Sequence, residues 1–406
     1  MAIHFEKTTI GTDDFELGMK RKSILRYFLT LPEKKNNKGL AFIIPGFGED
    51  NNSEYSRKLR EYISDTYSLV CVTVKYHAIE SRPANGGQLG FDYQDIELLK
   101  QKLNQYGCHV ANTIQENITI LDQAIAKAKT ENTCDINSLF MNQYALLTSS
   151  IYPGQGEYQN FGIMQALDHL FVLADLLKNL TFPKENIIAF GSSHGGYIAN
   201  LMSKIAPNTF SAVLDNSSYA HTPLHYVVGR QLGNYEFLAT ATSNIAIACF
   251  VVSPWRLRVG DQNFFSPDHQ KIRSFLFCED IENMARTGNR KTQYRFFHSQ
   301  NDMIAKVEDK IKMAELLEKN GFDVQLSIMK EKDIDGVFVK NLNHGMGLSL
   351  KKMFIKLYKT LQPREARTDF DLNSKITYQG FKMDYTFKFN QEQITSDIVL
   401  RQQPMQ

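Results

Sequence analysis

The stretch that decides the fold is NIIAFGSSHGGYIANLMSKI, Asn186–Ile205. Asn186–Phe190 is a short run of the kind that fills a strand buried on both faces. Gly191-Ser192-Ser193-His194-Gly195-Gly196 follows, and Tyr197–Ile205 continues with helical spacing of its apolar residues. Strand, tight glycine turn and helix form the setting in which G-x-S-x-G presents a nucleophilic serine, here Ser193. The sharp turn holds the serine in a strained conformation. Small residues two places before and two after it let the neighbouring backbones pass closely. The turn also aims N–H groups and a helix N-terminus at the space above the hydroxyl. A glycine turn without chemistry is the competing reading, and the flanking strand and helix weigh against it.

Working outward, apolar strand-like runs alternate with amphipathic stretches, the pattern of a mostly parallel, doubly wound sheet. Upstream, Ser23–Leu31 reads as a strand ended by Pro32 and the polar turn Glu33–Lys38. Leu40–Ile44 and Leu69–Val74 read as buried strands, with a helix over Ser53–Thr66 that Ser53 can cap. Ile163–Asn179 carries one continuous apolar helical face. Downstream, Phe210–Leu214, Gln293–His298 and Phe322–Met329 read as strands, and Val307–Asn320 and Ser349–Leu361 as helices. Between these lie two irregular regions, 77–160, with one helix around Thr113–Lys129, and 216–291, which is aromatic. The expected organisation is one α/β domain over 1–361 with insertions at 77–160, after the fourth strand, and at 216–291, a cap after the nucleophile turn. A C-terminal antiparallel β extension over 362–406 follows from the alternation in Lys375–Phe389.

Composition narrows the function classes. The 406 residues are 43% apolar and 22% charged, enough to bury a full core. Lys and Arg number 46 against 44 Asp and Glu, a formal balance of +2, so no global field draws nucleic acid or an anionic membrane. The longest apolar stretch, Ile245–Val252, is too short to span a bilayer, and Met1–Ile10 has charges where an export signal would need an apolar run. Cys71, Cys108, Cys134, Cys249 and Cys278 are scattered without metal-like or disulfide-like spacing. A soluble cytoplasmic protein without a metal or organic cofactor is expected.

On the motif at Ser193 in this context, the chain resembles the α/β-hydrolase superfamily over roughly 40–361. That resemblance implies a fixed chain order, nucleophile, then acid, then histidine. Ser299-Gln300-Asn301-Asp302, after the Gln293–His298 strand, resembles the family's H-G-x-x-D turn with Ser299 in place of glycine. Asn343-His344-Gly345 then precedes the last helix. The implied triad is Ser193, Asp302 and His344, with Asp215 the competing acid. The implied oxyanion donors are the backbone N–H of His194 and that of Phe47 or Gly48. These last two belong to Pro45-Gly46-Phe47-Gly48, which resembles the H-G-x-G oxyanion loop with Pro45 where histidine often stands.

Other residues carry binding chemistry. His298 is expected to support its turn. His221, His225 and His269 lack metal spacing, and Asp92, Asp95 and Glu97 read as a solvated face. Tyr219, His225 and Trp255 are candidates for substrate contact. For Trp255 in Pro254-Trp255-Arg256-Leu257-Arg258, a core tryptophan is favoured over a sugar platform. Tyr219, His221, His225, Tyr226 and Arg230 make the start of the second insertion polar and aromatic, unlike a lipase lid, which favours a polar substrate.

A serine esterase working through an acyl-enzyme is therefore expected. An acyltransferase with the same triad is the alternative, and a hydrolase-fold binding protein that has lost turnover is a third reading. Oligopeptidase activity is disfavoured, since no N-terminal propeller is expected. The whole chain is also similar to a bacterial family encoded beside flagellin-glycosylation genes in epsilonproteobacteria, on Ile43–Asp50 (IIPGFGED), Val74–Ile79 (VKYHAI) and Ile188–Tyr197 (IAFGSSHGGY). That resemblance implies a small acylated substrate, a nonulosonic-acid-type sugar or its nucleotide-activated precursor.

Overall fold

Eight strands pair into one sheet. They are β1 (Ile3–Thr9), β2 (Leu25–Leu31), β3 (Leu40–Ile44), β4 (Val70–Lys75), β5 (Ile187–Ser192), β6 (Ala212–Asn216), β7 (Gln293–Ser299) and β8 (Asp323–Met329). The computed structural model describes residues 2–33, 36–50 and 52–401. Lys34 and Lys35 of the Glu33–Lys38 turn, and residues 402–406 of the C-terminal extension, lie outside the described residues.

The strand order is β1-β2-β4-β3-β5-β6-β7-β8. Strand β2 runs antiparallel to both its neighbours, and all pairings from β4 to β8 are parallel. This is the α/β-hydrolase fold, a mostly parallel sheet with one reversed strand next to its edge. The central strands β3, β5 and β6 are apolar at nearly every position because helices cover both faces. From β3 the chain passes to β4 on one side, and after α2 it returns as β5 on the other side of β3. The carboxyl ends of β3 and β5 therefore flank a natural crevice.

Helices α1 (Glu54–Tyr67) and α5 (Leu350–Tyr358) pack on one face, where Leu59, Ile63, Met353, Phe354 and Leu357 meet Ile43, Ile188, Phe190, Leu214 and Phe297. Helix α1 begins where Ser53 Oγ accepts from the Ser56 N–H at 3.1 Å. Helices α2 (Ile163–Asn179) and α3 (His194–Ile205) are buried almost all round. Helix α4 (Val307–Lys319) connects β7 to β8.

The chain divides into two compact units. The first contains the large sheet and comprises the described residues up to Ile79, Asn160–Pro223 and those from Leu257 onward. It also holds the antiparallel three-stranded sheet β9 (Lys375–Gln379), β10 (Met383–Phe389) and β11 (Ile394–Leu400). Tyr378 of β9 donates from its hydroxyl to the Lys204 carbonyl on α3, at 2.5 Å.

The second unit is built from Glu80–Gln159 and Leu224–Arg256. In it Ala145–Tyr152 pairs parallel with Ile245–Val251, with Gln88–Gly90 and Phe237–Thr240 antiparallel at the edges. Helices Tyr93–Gln105 and Ile114–Thr130 bury Leu99, Leu103, Ile118, Leu121 and Ile125 against that sheet. Both regions read as irregular from sequence are thus more ordered than expected. The strand ALLTSSIY places three hydroxyl residues side by side, which hides its strand character. The apolar Ile245–Val251 finds its parallel partner only across a long stretch of chain.

Buried charge fastens the segment between β1 and β2. Glu16 and Arg273 pair with no side-chain exposure, and Tyr385 on β10 donates to Glu16 at 3.2 Å. Arg273 also donates to the carbonyls of Phe161 (3.0 Å) and His269 (3.0 Å). Arg21 pairs with the fully buried Asp168 on α2. Removing one member of a buried pair strands the other charge, at a cost of about 3–5 kcal/mol. Arg273→Met should therefore sharply lower the urea midpoint of unfolding, and Glu16→Leu added to it should recover part of the loss. Equal midpoints for the single variant and wild type would show that the pair is not the fastening.

Candidate active site

The site forms where β5 turns into α3. Ser193 has φ 54° and ψ −122°, a left-handed conformation costly for a residue with a Cβ. Three glycines make it attainable. A Cβ on Gly191 would lie 2.2 Å from the Gly195 carbonyl carbon, one on Gly195 2.1 Å from the Ile44 carbonyl oxygen, and one on Gly196 2.5 Å from Asp215 Oδ1. The Ser193 N–H donates to the Asn216 carbonyl at 2.7 Å, which ties the turn to the end of β6.

Ser193 Oγ lies 2.6 Å from His344 Nε2, and His344 Nδ1 lies 2.9 and 3.0 Å from the two carboxylate oxygens of Asp302. Burial pushes the Asp302 carboxyl upward. The hydrogen bond and charge of His344, with the Ala305 and Ile304 N–H groups, outweigh it and hold the group below its ordinary value. An ionised Asp302 accepts from Nδ1, which leaves Nε2 to accept from the serine hydroxyl. Both Ser193 and His344 are partly exposed.

Asp215, the competing acid, is held elsewhere. Lys310 Nζ (2.7 Å), Ser218 Oγ (2.5 Å) and Asn200 Nδ2 (3.0 Å) all donate to its Oδ2, and the Ser218 N–H donates to Oδ1 (3.0 Å). Ser192 Oγ accepts from Asn216 Nδ2 at 3.0 Å. His298 Nε2 donates to the Ala305 carbonyl at 2.8 Å, inside the turn that carries Asp302. Burial, then the Lys310 charge, lowers its pKa, so it is a neutral support of that turn.

The His194 ring is buried among Phe47, Phe161, Tyr76 and Tyr197, with Nε2 donating to Gln165 Oε1 at 2.6 Å. Burial, with repulsion from His169, lowers its pKa to about 3. The oxyanion-like turn is held from below, since the Tyr76 hydroxyl sits 3.2 and 3.1 Å from the Pro45 and Gly46 carbonyls. Glu49 Oε2 accepts from the Gly46 N–H at 2.8 Å. Phe47 and Gly48 follow in this turn, Gly48 with φ 65°.

Of the three residues considered for substrate contact, Tyr219 is buried and stacks on the His344 ring, with centroids 6.1 Å apart and planes at 21°. His225 and Trp255 belong to the second unit. There His225 packs against Tyr226 at 4.2 Å, and Trp255 is only 2% exposed, the burial of a core tryptophan. Asp95 is buried against Arg230 at 2.6 Å and is not part of a solvated face, while Asp92 caps the Tyr93–Gln105 helix. Among the described residues, no three His, Cys, Asp or Glu side chains gather as metal ligands would, and no helix is long and apolar enough to cross a membrane.

Three supporting residues escaped the sequence reading. Ser299 Oγ donates to the Leu342 carbonyl at 2.5 Å, two residues before His344, and accepts from the Asn301 N–H at 3.1 Å. Ser299 thus links the turn of Asp302 to the loop of His344. Its departure from glycine was the available signal. Tyr76 and Gln165 carried none, because each acts through a partner distant in sequence.

A family model described as "Protein of unknown function (DUF2920)" matches residues 5–398. No curated protein matches. Among solved structures, an acylaminoacyl peptidase in complex with Z-Gly-Gly-Phe-chloromethyl ketone aligns at TM-score 0.47 and 12% identity, over 90% of this chain and 42% of its own. A ferulic acid esterase aligns at 0.42 and 10%, over 89% and 96%. Brefeldin A esterase, a bacterial homologue of human hormone sensitive lipase, aligns at 0.41 and 12%, over 88% and 74%. The chain spans about two fifths of the peptidase's length.

A pH dependence follows from the buried imidazoles behind the turn. Burial lowers His169 to about 4, against roughly 6.5 in an unfolded chain. Between these values the unfolded chain binds the proton and the folded one does not, so stability falls as pH drops through that window. From pH 7 to pH 5 the loss attributable to His169 is about 2 kcal/mol. In His169→Asn the difference in unfolding free energy between these two pH values should shrink by that amount, measured by urea titration. An unchanged difference would mean that His169 binds its proton equally well in the folded and unfolded chain.

Proposed function

For this chain, which belongs to the DUF2920 family, we propose a serine hydrolase that cleaves an ester through a covalent acyl-enzyme. The observation that carries the reading is the continuous hydrogen-bonded line from Ser193 Oγ through the His344 ring to the Asp302 carboxylate. His344 Nε2 takes the hydroxyl proton as Oγ attacks the acyl carbon, and Asp302 stabilises the imidazolium. Charge developing on the carbonyl oxygen is met by the His194 N–H and by that of Phe47 or Gly48. His344 then returns its proton to the departing alcohol. Water, deprotonated by the same nitrogen, releases the acid and restores Ser193. No step calls on a metal or an organic cofactor.

The hydrogen-bond reach between Ser193 and His344 weighs against the binding-protein reading. For the substrate we favour an O-acyl group on a polar, sugar-like molecule of the nonulosonic-acid type. The five free thiols support a reducing, cytoplasmic setting.

Intact-mass labelling with a fluorophosphonate tests the nucleophile. Wild type and Ser192→Ala should each carry one adduct and Ser193→Ala none. His344→Ala should label at least about a hundredfold more slowly, the usual worth of a positioned general base. An adduct that persists in Ser193→Ala, or a wild type that remains unlabelled while folded, would remove the proposal.

A further inference from the structure

Beside His344 the first unit opens into a cavity of about 550 Å³, within the roughly 300–1,000 Å³ of small-molecule sites. His344 and Gly345 form part of its wall, with Glu49, Tyr55, Lys340 and Ser349 around it. Val337, Leu348 and Leu350 supply an apolar strip. We infer that this cavity receives the alcohol half of the ester and selects a hydroxyl-rich, sugar-like alcohol, an inference that rests on the hydrolase reading above.

The position follows from the route of the proton. His344 Nε2 faces Ser193 Oγ at 2.6 Å and must next protonate the leaving oxygen, so that oxygen has to lie beside the imidazole. The cavity borders the imidazole. The residues assigned to the oxyanion, His194, Phe47 and Gly48, are not part of its lining. Ser192, next to the nucleophile, and Asn216 are part of the wall, so the cavity reaches the serine by way of the His344 ring and not through Ser193 itself.

The selectivity follows from the lining. Glu49 is fixed by the Gly46 N–H it accepts at 2.8 Å, so its carboxylate is oriented before any ligand arrives. The Tyr55 phenol is about half exposed, and Lys340 is exposed. Ser349 Oγ accepts from the Lys352 N–H and keeps its own proton to donate. A carboxylate, a phenol, an ammonium and a hydroxyl around one cavity match several hydroxyls at once. An alkyl alcohol would displace their water without replacing its hydrogen bonds. The apolar strip, with Val337 56% exposed, suits the C–H face of a sugar ring.

The same cavity serves the reverse step. An alcohol bound there attacks the acyl carbon, its oxygen forms the new ester bond, and the bond to Ser193 Oγ breaks. The alcohol proton passes to Nε2 and from there to Oγ. The partition of the acyl-enzyme between alcohol and water therefore reads the cavity directly, whatever the rate of acylation.

The test loads the full chain from p-nitrophenyl acetate in the presence of glucose, glycerol or 1-butanol at equal concentration. Acetyl-alcohol and acetate are then quantified by mass spectrometry. Glucose and glycerol should each capture the acetyl group at least about tenfold more often than butanol, relative to water. Lys340→Ala, Tyr55→Phe and Glu49→Gln should each reduce that preference severalfold. Butanol equal to or better than the polyols, a preference untouched by all three variants, or no transfer from an enzyme that a fluorophosphonate does label would overturn this inference alone. Absence of the fluorophosphonate adduct would instead overturn the hydrolase reading, and this inference with it.

Discussion

The approach of the nucleophile turn to strand β3 is the constraint on which the rest of the molecule depends. Gly195 lies so close to the Ile44 carbonyl that no side chain fits between them, and Gly191 is equally close to the Gly195 backbone. That packing allows Ser193 to hold φ 54° and ψ −122° without leaving the sheet. A strained residue persists only where its surroundings over-determine it. Here the Asn216 carbonyl, three glycines and a fully buried helix α3 do so together. The oxyanion-like turn leaves the same strand end, at Pro45. Ser193 and the proposed oxyanion donors are thus referenced to a single point of the sheet.

Charge within the first unit is arranged so that one carboxylate remains for the histidine. Asp215 and Asp302 stand at the ends of neighbouring strands β6 and β7, where either could serve as the acid. Lys310, buried at the start of α4, answers Asp215 at 2.7 Å, and Ser218 and Asn200 complete its hydrogen bonds. Asp302 receives two backbone N–H groups on one oxygen and keeps its other contacts for His344. Buried charges survive when paired and hydrogen-bonded, and these two are satisfied by different partners. His169, His194 and His298 are all lowered by burial and stay neutral, whereas the His344 ring is partly exposed.

Much of this was legible because the relevant signals are local. The run Asn186–Ile205 contains strand, turn and helix within twenty residues, and β3, β5 and β6 are apolar enough to be read one at a time. Ser193 and Asp302 could be placed because each follows a strand with a clear pattern, whereas His344 was placed only by its position in the loop before α5. Strand β1 was not legible: nearly all of it is exposed, so its residues carry no period of two. The sheet of the second unit was hidden by a hydroxyl-rich strand and a pairing between distant segments. The pairs Glu16–Arg273 and Arg21–Asp168 join residues far apart in sequence, and no single-residue property announces them. Trp255, for which a core position is the favoured reading over a sugar platform, is buried as that reading expects.

The loop of His344 is the least regular part of the proposed triad, and Ser299 contributes to its restraint. After His344 the chain passes through three consecutive left-handed residues, Gly345 (φ 74°), Met346 (φ 58°) and Gly347 (φ 52°). A methionine there is costly, and its side chain is fully buried, which supplies an anchor. The Met346 carbonyl also accepts from the Lys340 and Asn341 N–H groups, closing the loop on itself. A loop closed in this way fixes its own shape but not its distance from the acid. Ser299 supplies that second reference through its bond to the Leu342 carbonyl, and the Asn216 amide adds a third at the Gly345 carbonyl, 3.2 Å away. Glycine at 299 would leave the loop without its tie to β7. Ser299 therefore supplies a side-chain tether where a glycine would supply backbone freedom, at the point where Asp302 and His344 are brought into register.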